Sequence, residues 1–195
     1  MNTKKKDPQK SHKSRMNNSQ GATFEKMILA GCATYKKKGR ALIEKTPEPC
    51  KIIKKEPNGR AIVQFQKNNK AQCDFKGVLN DNRAIVFEAK ATTEKRMIQD
   101  RLSSAQFEQL TEYGKTGAVT GVCVLINKTA AFIPFVIWSN MKTIYERKYI
   151  TEEEAEVFQV ETPAAIHFLN YVNANEVGEF IEQKLHEIAK DRGFL

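Results

Sequence analysis

The chain has 195 residues, 32 Lys and Arg against 23 Asp and Glu, a formal net charge of +9, and 41% hydrophobic residues. That length builds one domain around one core, and no apolar run approaches the ~20 residues that span a bilayer. The start, MNTKKKDPQKSHKSRMNNSQ, has no apolar stretch behind its lysines, so a soluble, cytoplasmic protein with no membrane partner is expected.

The charge is unevenly placed. Residues 1–70 hold 18 Lys/Arg and 5 Asp/Glu, a net of +13, while the remaining residues hold 14 and 18, a net of −4. Such an excess suits a polyanion, nucleic acid or, as the weaker reading, an anionic membrane surface, because contact with phosphates releases condensed counterions. Cys32, Cys50, Cys73 and Cys123 form no C-x-x-C pair and lie in or beside apolar segments, which suits free thiols in a reducing compartment. His12 in the basic start, and His167 and His186 in helical patterns, give poor support for a metal site built on histidine.

In chain order, residues 1–18 are polar, basic and without periodicity, and predict a disordered arm that can touch DNA. From Ser19, Phe24, Met27, Ile28, Ala33 and Tyr35 fall near helical spacing, and Gly39 stops the helix. RALIEKTPEP reads as a short strand ended by Pro47 and Pro49. Two β-rich runs in CKIIKKEPNGRAIVQFQKN are joined by Pro57-Asn58-Gly59, a hairpin turn. Lys51, Lys54, Lys55, Arg60, Lys67 and Lys70 decorate that hairpin, and a solvated edge accounts for them as well as a DNA contact does.

DFKGVL, a polar turn Asn80-Asp81-Asn82 and RAIVFEAK form a second strand pair. Residues 94–114 show helical periodicity through Met97, Ile98, Leu102, Phe107 and Leu110. AVTGVCVLIN reads as a strand buried on both faces, and AAFIPFVIW as another with Pro134 inside it. Thr151-Glu152-Glu153-Glu154 has capping-box spacing, and a last helix over about 176–192 repeats Val177, Phe180, Ile181, Leu185 and Ile188. One α/β domain over residues 19–195 with a mixed central sheet is predicted, its C-terminal helices occupying about 151–195.

The chemistry concentrates in DFKGVLNDNRAIVFEAK. Side chains alternate along a strand, so Glu88 and Lys90 share a face, and antiparallel pairing through the Asn80-Asp81-Asn82 turn brings Asp74 opposite Glu88. Two carboxylates, with the carbonyl of Ala89 as a further ligand, suit Mg²⁺, with Mn²⁺ as a substitute. Lys90 beside them suits orientation of a water or stabilisation of charge on a phosphate. This is the D-(x)n-E-x-K, or PD-(D/E)xK, arrangement of restriction-endonuclease-like nucleases. Taken alone, a pair such as Glu88 and Lys90 is usually a surface ion pair and Gln106 in SSAQFEQL more often a surface glutamine, while Glu25 on the first helix equally fits a solvent-facing position.

GATFEKMI, ALIEKTPEPCKI, CDFKGVL, IVFEAKAT, SAQFEQL and GVCVLI, in that order over residues 19–138, resemble the RecU family of Holliday junction resolvases. The resemblance implies a homodimeric, Mg²⁺-dependent endonuclease that makes paired symmetric nicks in four-way DNA junctions during recombination and repair. It implies that Asp74 and Glu88 ligate the metal, that Lys90 is the catalytic lysine, and that Glu25 and Gln106 support the site. The hairpin at about 51–70 becomes a protruding stalk that enters the junction. Relatives tend to carry threonine at the position of Cys73 and arginine at that of Gln20, and an N-terminal phosphate contact then falls to Lys13 or Arg15. The match fades after Trp138, as in a phage or prophage branch. A restriction or repair nuclease on the same core, or a non-catalytic DNA-binding recombination protein, is the alternative.

Overall fold

The computed structural model describes residues 8–47, 50–65, 72–162 and 164–193. Helix α1 runs over Pro8–Lys37, so residues 8–18, expected to be disordered, are helical in backbone. Pro8 stands in the first turn, where a missing N–H costs nothing. The polar residues that follow carry no apolar stripe, and periodicity reports burial rather than helicity, which is why they gave no helical signal. Residues 1–7 lie outside the described residues. The helix ends where expected: Gly39 takes φ 64°, and the N–H groups of Gly39 and Arg40 donate to the carbonyls of Lys36 and Tyr35 at 3.1 and 3.0 Å.

There follow β1 (Ala41–Lys45), β2 (Cys50–Lys55), β3 (Ala61–Phe65), β4 (Phe75–Leu79), β5 (Ala84–Thr92), β6 (Arg96–Ile98), α2 (Ser104–Lys115), β7 (Val119–Ile126) and β8 (Thr129–Pro134). The chain continues through α3 (Phe135–Ser139), α4 (Met141–Tyr145), β9 (Tyr149–Thr151), α5 (Glu152–Ala155), β10 (Val160–Glu161), β11 (His167–Tyr171) and α6 (Ala174–Asp191). The central sheet has the order β1-β4-β5-β7-β8, with β5 and β7 parallel and the other pairs antiparallel. This is the mixed α/β architecture predicted, and α2 belongs to the crossover that a parallel pair requires.

Strand β5 sorts the molecule into two layers. Ile85, Phe87, Ala89 and Ala91 face α1, where Phe24, Ile28, Cys32 and Tyr35 close one core. Val86 faces the other way, into a core shared with Leu102, Leu110, Val122, Val124 and Trp138. The centre of the first core is aromatic: the fully buried Phe87 ring stacks on Phe75 at 4.9 Å and meets Phe168 and Phe132 at 4.7 and 5.6 Å. Glu88 occupies the α2 side of the same strand, by the alternation that buries its neighbours.

Two elements differ from the sequence reading. The helix expected over 94–114 is a strand, β6, paired with β9, then a short 3-10 turn, and only then α2. Met97, Leu102 and Leu110 all enter one core, so their spacing imitates a helix that the capping box at Ser103 starts later. The AAFIPFVIW strand ends at Pro134, and Phe135–Ser139 is helical. Proline has no N–H for the ladder, and its fixed φ, here −54°, suits a helix entry. His167 likewise sits on a strand, while the Thr151–Glu154 capping box is present as read.

The β2–β3 hairpin pairs with no other described strand. Gly59 takes φ 80° and donates to the Glu56 carbonyl at 3.2 Å, while Glu56 donates to the Arg60 carbonyl at 2.8 Å, the tight turn that Pro-Asn-Gly encodes. Ile52, Ile53, Ile62 and Val63 are exposed on it. Among the described residues no helix is long and apolar enough to cross a membrane, and Cys32, Cys73 and Cys123 are buried free thiols, with Cys50 exposed.

The aromatic centre gives a stability expectation. Phe87→Ala should destabilise the protein by about 3–5 kcal/mol, the usual cost of a buried Phe truncation, measured by urea denaturation. A loss below about 1 kcal/mol would mean that these rings do not form the core described.

Candidate active site

The register of β4 on β5 pairs Phe75 with Phe87, so Asp74, one residue before β4, arrives across from Glu88. Its Oδ2 accepts the N–H of Ala89 at 2.9 Å. Lys90, two residues past Glu88 on the same face, donates from Nζ to Glu88 Oε2 at 2.7 Å and stands 3.9 Å from Asp74 Oδ2. The expected convergence of Asp74, Glu88 and Lys90 is therefore present.

Gln106 joins them. Its Nε2 donates to Glu88 Oε2 at 2.7 Å, while its Oε1 accepts the Ser103 N–H at 3.1 Å and Ser103 Oγ accepts the Gln106 N–H at 3.3 Å. One side chain thus caps α2 and holds the carboxylate, so the solvent-facing alternative for Gln106 does not apply. The S-x-x-Q spacing of Ser103 and Gln106 is a capping-box signature legible in the sequence. Gln109, absent from the sequence reading, accepts the Cys73 N–H through Oε1 at 2.6 Å.

Glu88 sets the electrostatics. Its side chain is 0% exposed, and burial, reinforced by the charge of Asp74, pushes its carboxyl up to about 8 against the opposing pull of Lys90. Both Lys90 and Gln106 bond to Oε2; Oε1 is buried without a hydrogen-bond partner. An unpartnered buried carboxylate oxygen is costly, and a cation satisfies it. The N–H and C=O of one strand residue leave the strand on the same side, so the Ala89 carbonyl also faces the Asp74 side, away from β7. Glu88 Oε1, Asp74 and that carbonyl fit a hard divalent cation, which takes few protein ligands and completes its shell with water and phosphate. Among the described residues no cluster of three or more His, Cys, Asp and Glu offers a fuller cage. Cys73 lies buried beside this set, its thiol pushed up to about 12 by burial and then by the charge of Glu88.

Glu25 stands apart. It pairs with Lys45 at the end of β1, and no hydrogen bond joins it to Asp74, Glu88 or Lys90. The connection is indirect: Lys45 is the register partner of Phe75, and Thr46 donates its N–H to the Asp74 carbonyl at 2.8 Å. Of the basic residues, Lys13 and Arg15 lie on α1, Lys51 on β2, and Lys54, Lys55 and Arg60 are exposed on the hairpin. Lys67 and Lys70 lie outside the described residues.

Two carboxylates and a lysine in reach of both, brought together where β4 begins alongside β5, form a candidate hydrolytic metal centre of the D…E-x-K kind. The family model described as Recombination protein U, RecU, matches residues 19–174. The chain belongs to that family. It is 32% identical over 111 residues to the Holliday junction resolvase RecU of Streptococcus pneumoniae (strain Hungary19A-6), covering 55% of this chain and 54% of that protein. To the protein of the same name from Streptococcus oralis it is 31% identical over the same length. The chain thus spans about half the length of the curated relatives it matches. Among solved structures, Hjc, a Holliday junction resolvase from Archaeoglobus fulgidus, is similar with a TM-score of 0.42 and 18% identity, over 70% of this chain and 87% of that one.

The burial of Glu88 sets a pH dependence for the metal-free protein. Between the ordinary carboxylate value near 4.5 and about 8 the folded state holds a proton that the unfolded state releases. Stability must therefore fall as pH rises through that window. Glu88→Gln should remove this contribution, so that in EDTA the wild type loses roughly 1–3 kcal/mol relative to the variant between pH 4.5 and pH 8, measured by denaturant titration. A wild-type-minus-variant difference that is flat with pH would contradict the described environment of Glu88.

Proposed function

We propose that the protein is a divalent-metal-dependent endonuclease of the restriction-endonuclease-like class that resolves four-way DNA junctions by paired symmetric nicks. The observation that carries this reading is the buried, unpartnered Oε1 of Glu88 in a strand register that sets Asp74 opposite it, with Lys90 within reach of both carboxylates. Asp74, Glu88 and the Ala89 carbonyl hold Mg²⁺, with Mn²⁺ as a substitute. When bound, the cation supplies positive charge to the scissile phosphate and acidity to a water.

The chain's own groups do the rest. Lys90 reaches both carboxylates with one ammonium, and its remaining N–H bonds are free to orient the attacking water or to stabilise charge developing on the phosphate. Gln106 fixes the Glu88 carboxylate in one orientation, leaving Oε1 turned to the metal. Glu25, through Lys45 and the neighbouring Thr46, supports the main chain of Asp74.

Substrate selection is assigned to charge and shape. The exposed Lys54, Lys55 and Arg60 extend along a hairpin that no other described strand covers, and α1 carries Lys13 and Arg15. Contacts of this type read the phosphate backbone rather than bases, which suits recognition of a branched structure. The hairpin, with Lys51 on its first strand, is the stalk that enters the junction, and the working unit is a homodimer presenting two active sites to opposed strands. The names of the relatives support the junction as substrate.

The test is cleavage of a mobile four-way junction and of a linear duplex of the same sequence, in Mg²⁺ and in EDTA. Symmetric nicks on opposed strands of the junction alone, and only with metal, are expected. Asp74→Asn and Glu88→Gln should reduce nicking to background while still binding the junction in EDTA. Equal cleavage of the linear duplex would replace junction resolution with a general nuclease, and wild-type nicking by either variant would remove these residues from the centre.

A further inference from the structure

Helix α2 grips the candidate centre at two points. Gln106 holds the side chain of Glu88, and Gln109, three residues further along the helix, accepts the main-chain N–H of Cys73 at 2.6 Å. Residues three apart on a helix lie on one face, so both amides reach the sheet together. Glu88 belongs to β5, and Cys73 leads directly into Asp74 and β4. The helix therefore crosslinks the two strands that bring the two carboxylates together.

The Cys73 N–H depends on this contact. Cys73 is 0% exposed, so its amide needs a protein partner. The β1–β4 ladder supplies none, because its register begins at Phe75, opposite Lys45. One residue on, Thr46 already takes the Asp74 carbonyl at 2.8 Å. Asp74 is thus held by two anchors of its own, Thr46 on its carbonyl and Ala89 on its carboxylate, and by Gln109 on the Gln72–Cys73 peptide just upstream. Without Gln109 the Cys73 N–H is buried and unpaired, and the chain at Gln72–Cys73 that leads into Asp74 must shift to satisfy it, carrying the Asp74 carboxylate with it.

We infer that Gln109 is a positioning residue for the metal centre, setting the separation of the Asp74 and Glu88 carboxylates through the main chain of Cys73. This rests on the reading of Asp74 and Glu88 as metal ligands. Outer groups that orient ligands typically change metal affinity by about 10–100-fold when removed.

The experiment is Mn²⁺ binding to the full DNA-free chain, followed by electron paramagnetic resonance, for the wild type, Gln109→Leu, Gln109→Glu and Asp74→Asn. Gln109→Leu keeps the bulk and loses the acceptor, and its dissociation constant for Mn²⁺ should rise about 10-fold or more. Gln109→Glu keeps an acceptor oxygen at the same reach and should restore most of the affinity. In nicking assays Gln109→Leu should need correspondingly more Mg²⁺ for half-maximal rate, with the rate at saturating Mg²⁺ much less affected. A purely structural role would lower thermal stability and leave the affinity of the folded fraction unchanged. Should Gln109→Leu fail to fold, Gln109→Asn, one methylene shorter, carries the same expectation. Wild-type affinity in a folded Leu or Asn variant, or no recovery in Gln109→Glu, would overturn the inference while leaving the centre intact. Equal Mn²⁺ binding by wild type and Asp74→Asn would overturn the metal-ligand reading itself and this inference with it.

Discussion

The burial of the Glu88 carboxylate is the constraint on which the rest of the structure turns. An ionised carboxylate at 0% exposure is expensive to hold, and the surroundings meet only part of that cost. Lys90 and Gln106 both bond to one oxygen, leaving the other without a partner. A protein selected for stability alone would place valine or isoleucine here, as it does at Val86 on the same face of the same strand. Keeping a half-satisfied carboxylate is intelligible where chemistry needs an acceptor held ready for a cation, and where Lys90 must stay close without neutralising both of its oxygens.

The fold is arranged to maintain that placement. The β4–β5 register delivers Asp74 opposite Glu88, and with β4 on one edge and β7 on the other β5 is held inside the sheet. The crossover between those parallel strands ends in α2, whose capping box includes Gln106, the residue that also donates to Glu88 Oε2. The start of α2 and the placement of the Glu88 carboxylate therefore share one side chain, and disturbing either disturbs the other. The aromatic stack of Phe75 on Phe87 sits on the opposite face, one residue from Asp74 and from Glu88, and ties both carboxylate-bearing strands to the α1 core.

Much of this was legible in the chain. Alternation along RAIVFEAK separated Glu88 and Lys90 from Phe87 and Ala89, and the Asn80-Asp81-Asn82 turn fixed the register that brings in Asp74, because turn chemistry and a period of two are local properties. The hairpin turn at Gly59 and the stop at Gly39 were legible for the same reason. What was missed depends on tertiary structure. Met97 and Leu102 keep helical spacing while lying on a strand and a turn, since burial in one core, not helix geometry, set their spacing. The polar start of α1 gave no periodic signal because its sequence holds no apolar residues at helical spacing. Gln109 was invisible because its partner is a backbone N–H 36 residues away, which no side-chain pattern records.

The central claim is that Glu88 Oε1, Asp74 and the Ala89 carbonyl together receive a divalent cation. A crystal structure of the protein grown with Mn²⁺ tests it most directly, through the anomalous difference map at the manganese edge. The account predicts one strong peak coordinated by a carboxylate oxygen of Asp74, by Glu88 Oε1 and by the Ala89 carbonyl, with Lys90 still bonded to Glu88 Oε2. Manganese bound elsewhere, or a peak at this site that leaves Glu88 Oε1 uncoordinated, would contradict it.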